Sequence, residues 1–216
     1  MNIIKQIESA LNSISSAMER KICDTLPMEY CESGYKVGNE PPRDGWKPYS
    51  PTVPLAGGDG HYWIRCSFKT PKAEKNEYFV LRATTGREGL VVTTNPQGLL
   101  YLNGKMAQGL DTQHTDAFLD EDTEYEAHNY LYVGDEVIFI SYDMRIYAIN
   151  ERVEKLYYDI KAPYDALLLL SEYSDEYYQI LSPLSDAVRI LDMRDTNSAE
   201  FYVSVERAIE YLEKNF

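Results

Sequence analysis

Cysteine is scarce in this chain: Cys23, Cys31 and Cys66 are the only three in 216 residues. An odd number at wide spacing fits neither a disulfide framework nor a Cys-x-x-Cys zinc site. Reduced thiols, and with them a cytoplasmic location, are the expectation. Histidine is equally sparse. His61, His114 and His128 show no His-x-His or His-x-x-x-His spacing, whereas zinc needs three or four converging ligands. Runs of Lys and Arg are missing too, and the net charge is −14, so nucleic acid is excluded as a partner, because phosphate binding needs clustered cations. No apolar run approaches a membrane span; Ala166 to Leu170 is far too short. The N-terminus carries Lys5 and Glu8 within its apolar pattern, which excludes the continuous apolar core of a signal peptide. A Gly-x-Ser-x-Gly nucleophile elbow is absent, and the glycines around residues 56–60 and 86–89 lack the Lys-Ser/Thr ending of a phosphate loop. Both glycine groups read as turns.

What is present is an ordinary globular composition, 44% apolar and 26% charged, with an unusual nineteen tyrosines. A tyrosine has an apolar ring and a polar tip, which suits half-buried packing or an interface. Residues 2–24 place Ile3, Ile7, Leu11, Ile14, Met18 and Ile22 on one stripe of an amphipathic helix, with Pro27 just past its end. Its stripe needs a cover: the body of this chain, a further domain or another subunit. Residues 25–59 hold prolines at 27, 41, 42, 48, 51 and 54, which forbid a long helix and any central strand. Tyr30, Tyr35, Trp46 and Tyr49 mark this stretch as an ordered extended arm pinned by its rings, since disordered linkers seldom hold so many aromatics.

Over residues 60–150 the period becomes two. In His61 to Thr70, Tyr62, Ile64, Cys66 and Phe68 alternate with Trp63, Arg65, Ser67 and Lys69. Further β-rich runs cover 78–84, 89–94, 126–133 and 136–149, separated by turn residues such as Asn95-Pro96-Gln97-Gly98 and Gly134-Asp135. Short strands at this spacing predict an antiparallel β-sandwich. Residues 151–216 turn helical, with segments at 153–164, 166–172, 177–191 and 200–216, and Pro163 as a break or kink.

The most specific stretch is residues 98–119. An apolar strand, Leu99 to Leu102, ends in Asn103-Gly104, the dipeptide of a two-residue type I′ hairpin turn. Lys105 to Gln108 form the returning strand, Gly109-Leu110-Asp111 breaks it, and His114 follows on a polar loop. Beside Asp111 and Asp116, His114 is expected to fix that loop by a hydrogen bond. The residues Tyr101, Asn103, Gly104, Gln108, Gly109, Leu110, Asp111 and His114 resemble the N-terminal domain of glycoside hydrolase family 38 α-mannosidases, in their cytosolic, vacuolar and bacterial branch. Gly38, Glu40, Pro41, Gly45 and Trp46, the pair Trp63 and Arg65, and Leu81-Arg82 are similar to the same family, so the likeness extends over about 38–216.

The resemblance implies a jelly-roll-like sandwich similar to galactose-binding domains, followed by a helical connector toward a catalytic barrel. It implies a parent enzyme that cleaves α-linked mannose with retention, using a divalent metal, typically zinc, and an Asp nucleophile. That family's His-x-His-x-Asp signature is absent from these 216 residues, so no catalytic residue carries over and the chain itself is expected to be inactive. Its partners would be the catalytic domain of the same polypeptide, mannose-containing glycans through the parent, and another copy of itself.

Three residue groups carry open alternatives. Trp46, Trp63, Tyr62 and Tyr49 either stack a sugar ring, with Arg65 beside them, or pack the arm onto the sandwich. Asp116, Asp120, Glu121 and Asp122 either hold calcium or form a hydrated acidic loop; their spacing fits no EF-hand and favours the loop. A freestanding carbohydrate-binding module is the rival to the mannosidase reading, and a small hydrolase using the acidic cluster is a third.

Overall fold

Two hydrophobic cores form, one from the 3.6-residue pattern and one from the two-residue pattern. The structure, a computed structural model, describes residues 3–34, 40–89 and 96–216. Tyr35, Gly38, Asn95 and most of the β-rich run at 89–94 lie outside the described residues. The chain divides into a helical unit (3–20, Lys75–Glu77 and Ile149–Phe216) and a β unit (Lys21–Glu74 and Tyr78–Ala148).

The helical unit holds α1 (Ile3–Met18), α2 (Glu151–Leu167), α3 (Asp175–Ile190) and α4 (Ala199–Asn215). The stripe of α1 packs on α2 and α3, burying Ile7, Leu11 and Ile14 in one core with Val153, Leu156 and Ile160 of α2, Leu184 of α3 and Phe201, Val205 and Ile209 of α4. The cover that the stripe requires is therefore this chain's own helices. The helix expected to reach residue 24 stops at Met18, and Glu19–Lys21 continues as strand β1. Ile22 matches the helical period by coincidence: its N–H donates to the Ile146 carbonyl at 2.9 Å, and its side chain joins the β core. Side-chain caps start the other helices. Asn150 accepts from the N–H groups of Arg152 and Val153, Ser174 from Tyr177 and Ser198 from Phe201. Pro163 does not break α2, which runs on to Leu167. Of the helix expected at 166–172 only Ala166 and Leu167 are helical, as the end of α2; the rest is a connection, closed by three-residue turns from Leu169 to Ala166 and from Leu170 to Leu167 before Ser174 caps α3.

The β unit is an antiparallel sandwich. One sheet has the order β3-β2-β5-β10-β7-β8, formed by Lys47–Tyr49, Met28–Glu32, Gly60–Lys69, Glu124–Val133, Gln97–Leu102 and Lys105–Leu110. The other has the order β1-β12-β6-β9, with β12 at Asp143–Asn150, β6 at Glu77–Thr84 and β9 at Asp116–Leu119. A small pair joins β4 (Leu55–Ala56) to β11 (Phe139–Ile140). Alternation sorts the faces: Tyr62, Ile64, Cys66, Leu100, Ala127 and Val133 meet Phe79, Leu81, Ala83, Met144 and Ile146 in the core. Burial pushes the Cys66 thiol up to about 12, with nearby Cys23 adding to the rise, so this thiol stays protonated and inert.

The proline-rich segment departs from its sequence reading. It contains β2, which pairs on both sides, with β3 and with β5. Pro27 stands one residue before β2 and Pro48 falls in β3 at the sheet edge, so neither ring interrupts an interior ladder. At the β4–β11 pair Gly57 is compulsory, because a Cβ there would lie 1.4 Å from the Val137 carbonyl oxygen.

Candidate functional site

Asn103 and Gly104 turn β7 into β8 with φ of 52° and 76°, the left-handed conformations of a type I′ turn. Asn103 does more than turn the chain. Its Nδ2 donates to the Glu124 carbonyl at 3.1 Å, and its Oδ1 accepts from the Glu126 N–H at 2.8 Å. Its own N–H donates to the Glu126 carbonyl at 2.9 Å. The side chain thus extends the β7–β10 ladder past the last paired residue and clamps the hairpin to the central strand. Gly109 and Leu110 stay within β8, opposite Leu99 and Gly98, so the strand runs two residues beyond its expected break. Gln108 faces Leu100, and Ala107 is bulged out between Gln108 and Met106.

Past β8, Asp111 closes the loop. Its Oδ1 accepts from the N–H groups of Gln113 and His114, both at 2.7 Å, and lies 3.1 Å from His114 Nδ1. Burial works to raise the Asp111 pKa, but the two backbone donors and the imidazole outweigh it and hold the carboxyl below its ordinary value.

The second constellation lies on the outer face of the six-stranded sheet. Arg65 donates through Nε to Glu29 Oε2 at 2.7 Å, and its guanidinium sits 4.3 Å from the centroid of the Trp46 ring. Trp46, half-buried, also meets His128 at 6.0 Å, while its Nε1 donates to the Pro42 carbonyl at 2.9 Å. The Sγ of Cys31 points at the Asp44 carbonyl 3.8 Å away. These contacts lay residues 42–46 of the arm over β2, β5 and β10. His128 Nε2 lies 3.7 Å from Glu126; burial depresses the imidazole pKa, Glu126 opposes that and Arg65 reinforces it.

Trp63 requires a correction. It is 2% exposed, enclosed by Tyr101 and Tyr130 with ring centroids at 5.8 and 5.4 Å, so it offers no face to a sugar. Tyr62 and Tyr49 are buried in the sandwich core, which removes them from a platform as well. Of the four aromatics, Trp46 alone keeps an accessible ring surface. His61 is also sequestered, its Nδ1 2.6 Å from the Tyr130 hydroxyl.

The acidic cluster disperses into separate structural pairs. Asp116 takes two bonds from Arg82, Asp120 receives the Tyr125 hydroxyl, Glu121 accepts from the Ala73 N–H and Asp122 pairs with Lys69 at 2.9 Å. Among the described residues no three His, Cys, Asp or Glu side chains converge in a way that could hold a metal ion. The same residues contain no helix long and apolar enough to cross a membrane.

The β core also holds a polar network with no signal in the sequence. Tyr142, wholly buried, bonds Asn129 Nδ2 at 2.5 Å, and its N–H donates to the Tyr49 hydroxyl at 3.1 Å. Tyr142 and Asn129 each continue an alternating pattern that predicts only inward or outward, so the bond between them is invisible before folding.

No protein-family model and no curated protein matches the chain. Solved structures do. A Faecalibacterium prausnitzii beta-glucuronidase is 12% identical with a TM-score of 0.41, over 62% of this chain and 32% of the glucuronidase. A family 35 carbohydrate binding module from an environmental isolate is 12% identical with a TM-score of 0.28, over 59% of this chain and 90% of the module. Xylanase10C (mutant E385A) from Cellvibrio japonicus, in complex with xylopentaose, is 14% identical with a TM-score of 0.28, over 61% of this chain and 28% of the xylanase. The chain thus spans about a third of the glucuronidase that it matches. At these scores the likenesses say nothing of what this chain binds.

Proposed function

We propose that this chain is the non-catalytic N-terminal region of an α-mannosidase of glycoside hydrolase family 38, a scaffold that supports the catalytic barrel and shapes the mouth of its active site. One observation carries the reading: the residues of the family-like stretch are committed to backbone geometry. Asn103 clamps a hairpin to the central strand, and Asp111 and His114 close a loop. A stretch built that way serves as scaffold, and the chemistry then belongs to the domain that follows. On this reading the parent cleaves terminal α-linked mannose with retention in the cytoplasm, and its divalent metal, zinc by the chemistry of that family, is bound downstream of this chain.

The coding sequence past residue 216 and the purified parent test it together. A His-x-His-x-Asp within a few dozen further residues is expected, as is chelator-sensitive hydrolysis of an aryl α-mannoside by the parent but not by this chain. A stop codon after Phe216, or turnover by these 216 residues alone, would overturn it.

A second reading, a freestanding carbohydrate-binding module, is favoured by the half-buried ring of Trp46 with the Arg65 guanidinium against it. It predicts saturable binding of mannosides to the isolated chain that Trp46→Ala abolishes without loss of folding. Trp63→Ala is no test, since that ring is enclosed and its removal opens a cavity.

A further inference from the structure

The β unit holds a cleft of about 290 Å³ between the turn after β6 and the segment that contains β11. Arg87 of the turn and Glu136, Ile138 and Phe139 of the segment line it. Backbone bonds fix its walls. The Ser141 N–H donates to the Thr85 carbonyl at 3.0 Å, the Gly57 N–H to the Ile138 carbonyl at 2.8 Å and the Gly58 N–H to the Val137 carbonyl at 3.1 Å. The apolar side chains on these fixed walls nevertheless stand in solvent, Ile138 84% exposed and Phe139 58%. A cleft of this size lies at the lower end of the range for ligand sites and has room for a single small ring.

Arg87 is set apart from the other arginines of this acidic chain. Seven of them ion-pair with an Asp or Glu. Arg43 and Arg207 are exposed, where water serves their N–H groups. Arg87 is half-buried and its Nε is shut off from water, yet among the described residues that Nε meets no acceptor and the guanidinium no carboxylate. Glu88, next in the chain, is engaged by the N–H and the hydroxyl of Thr85. Glu136 lines the same cleft without pairing to Arg87. A buried donor without an acceptor costs free energy, and an acceptor entering the cleft removes that cost. The arginine stem is flexible, so a small rotation turns the Nε edge of the guanidinium toward such a ligand.

We infer that this cleft binds a small cyclic carboxylate, its anionic group on Arg87 and one face of its ring against Phe139 and Ile138. A planar guanidinium meets a carboxylate through two parallel hydrogen bonds. With Glu136 beside Arg87, the cleft suits one negative charge and opposes a doubly charged phosphate, which also has no apolar face for the walls. A sugar acid and an aromatic acid share the required chemistry; Glu136 adds an acceptor that only the hydroxyls of a sugar acid use. The site rests on neither reading given above. It includes neither Trp46 nor any residue of the stretch 98–119, and mannose carries no carboxylate.

Methyl NMR of the isoleucine-labelled 216-residue chain, titrated in turn with glucuronate, benzoate and inorganic phosphate, tests the site. The Ile138 methyl should shift saturably with at least one of the two carboxylates, while that of Ile7 in the helical core stays still. Arg87→Gln should weaken this binding roughly tenfold or more, as expected for the loss of a charge-assisted hydrogen-bonded pair. Phe139→Ala should weaken it by about the same factor if the ring stacks as inferred. Both side chains reach solvent, so the remaining isoleucine methyls should keep their positions and report an intact fold. A response to glucuronate alone supports the site and identifies a sugar acid; a response to benzoate alone supports it and identifies an aromatic acid. An equal response to phosphate would overturn the cyclic carboxylate in favour of a plain anion site. No saturable shift with either carboxylate, or one that Arg87→Gln leaves unchanged, would overturn the site itself. Neither of these failures touches the mannosidase reading, which the coding sequence past residue 216 decides.

Discussion

Asn103 combines two demands that few residues meet at once. It adopts a φ of 52°, which most L residues avoid, and it spends both ends of its amide on β10. Asn103→Ala should destabilise the chain by roughly 1–3 kcal/mol, through two lost hydrogen bonds and the strained turn. Asn103→Gly should recover the part due to strain, and urea unfolding of both variants separates the terms. His128 gives a pH signature. Its folded pKa is depressed by burial, so below the ordinary histidine value of 6.5 the unfolded chain takes up a proton that the folded chain refuses. The stability contributed by neutral His128 is therefore complete above about pH 6.5 and lost as the pH falls toward the folded value. Thermal unfolding from pH 7.5 to 5 should show this decline, and His128→Gln should flatten it. Asp111 acts in a lower window. With a folded pKa below 3.8, it supplies stability that is present above the unfolded value and lost as the pH falls through the folded one.

At the scale of elements, caps and stripes carry the local design. Ser198 accepts from the Phe201 N–H at 3.1 Å, so Ser198→Ala should cost about 1 kcal/mol, read as a lower unfolding midpoint with an unchanged denaturant slope. Leu81 of β6 is wholly buried between the sheets, and Leu81→Ala should cost roughly 2–5 kcal/mol, the range for a leucine whose cavity only partly collapses. Strand positions were largely legible, because inward residues such as Tyr62, Ile64 and Cys66 follow a strict alternation. Element ends were not. Ile22 fits the period of α1, yet its N–H is taken by Ile146, a partner more than a hundred residues away. The leucines after Ala166 have high helix propensity, but three-residue turns end α2 at Leu167, and Leu168 and Leu169 are left in solvent. Propensity speaks for neighbours within a turn and cannot see a distant carbonyl.

The whole molecule carries a net charge of −14 and a sequence pI near 4.6. Solubility should therefore be lowest close to pH 4.6, where self-repulsion vanishes, and static light scattering across pH 4–8 measures it. The same charge predicts no retention on a polyanion column even at low salt. The candidate sites divide at this scale too. The turn at Asn103-Gly104 was readable because its φ values restrict which residues can stand there. The enclosure of Trp63 was not, since it depends on Tyr101 and Tyr130, drawn in from two other strands.

The sequence by itself determined the two periods and the hairpin turn, because these depend on local geometry and on residue chemistry. Only the tertiary structure decided which outward-facing aromatics are open. Trp46 keeps an accessible ring and Trp63 is enclosed, although the sequence leaves both open between stacking a sugar and packing the arm. The physical reason is that burial on the outer face of a sheet is set by groups that other strands and crossing segments bring to it. Tyr101 and Tyr130 close on Trp63, and the arm of residues 42–46 lies on the same face through Cys31, Arg65 and His128, on strands that only folding brings side by side.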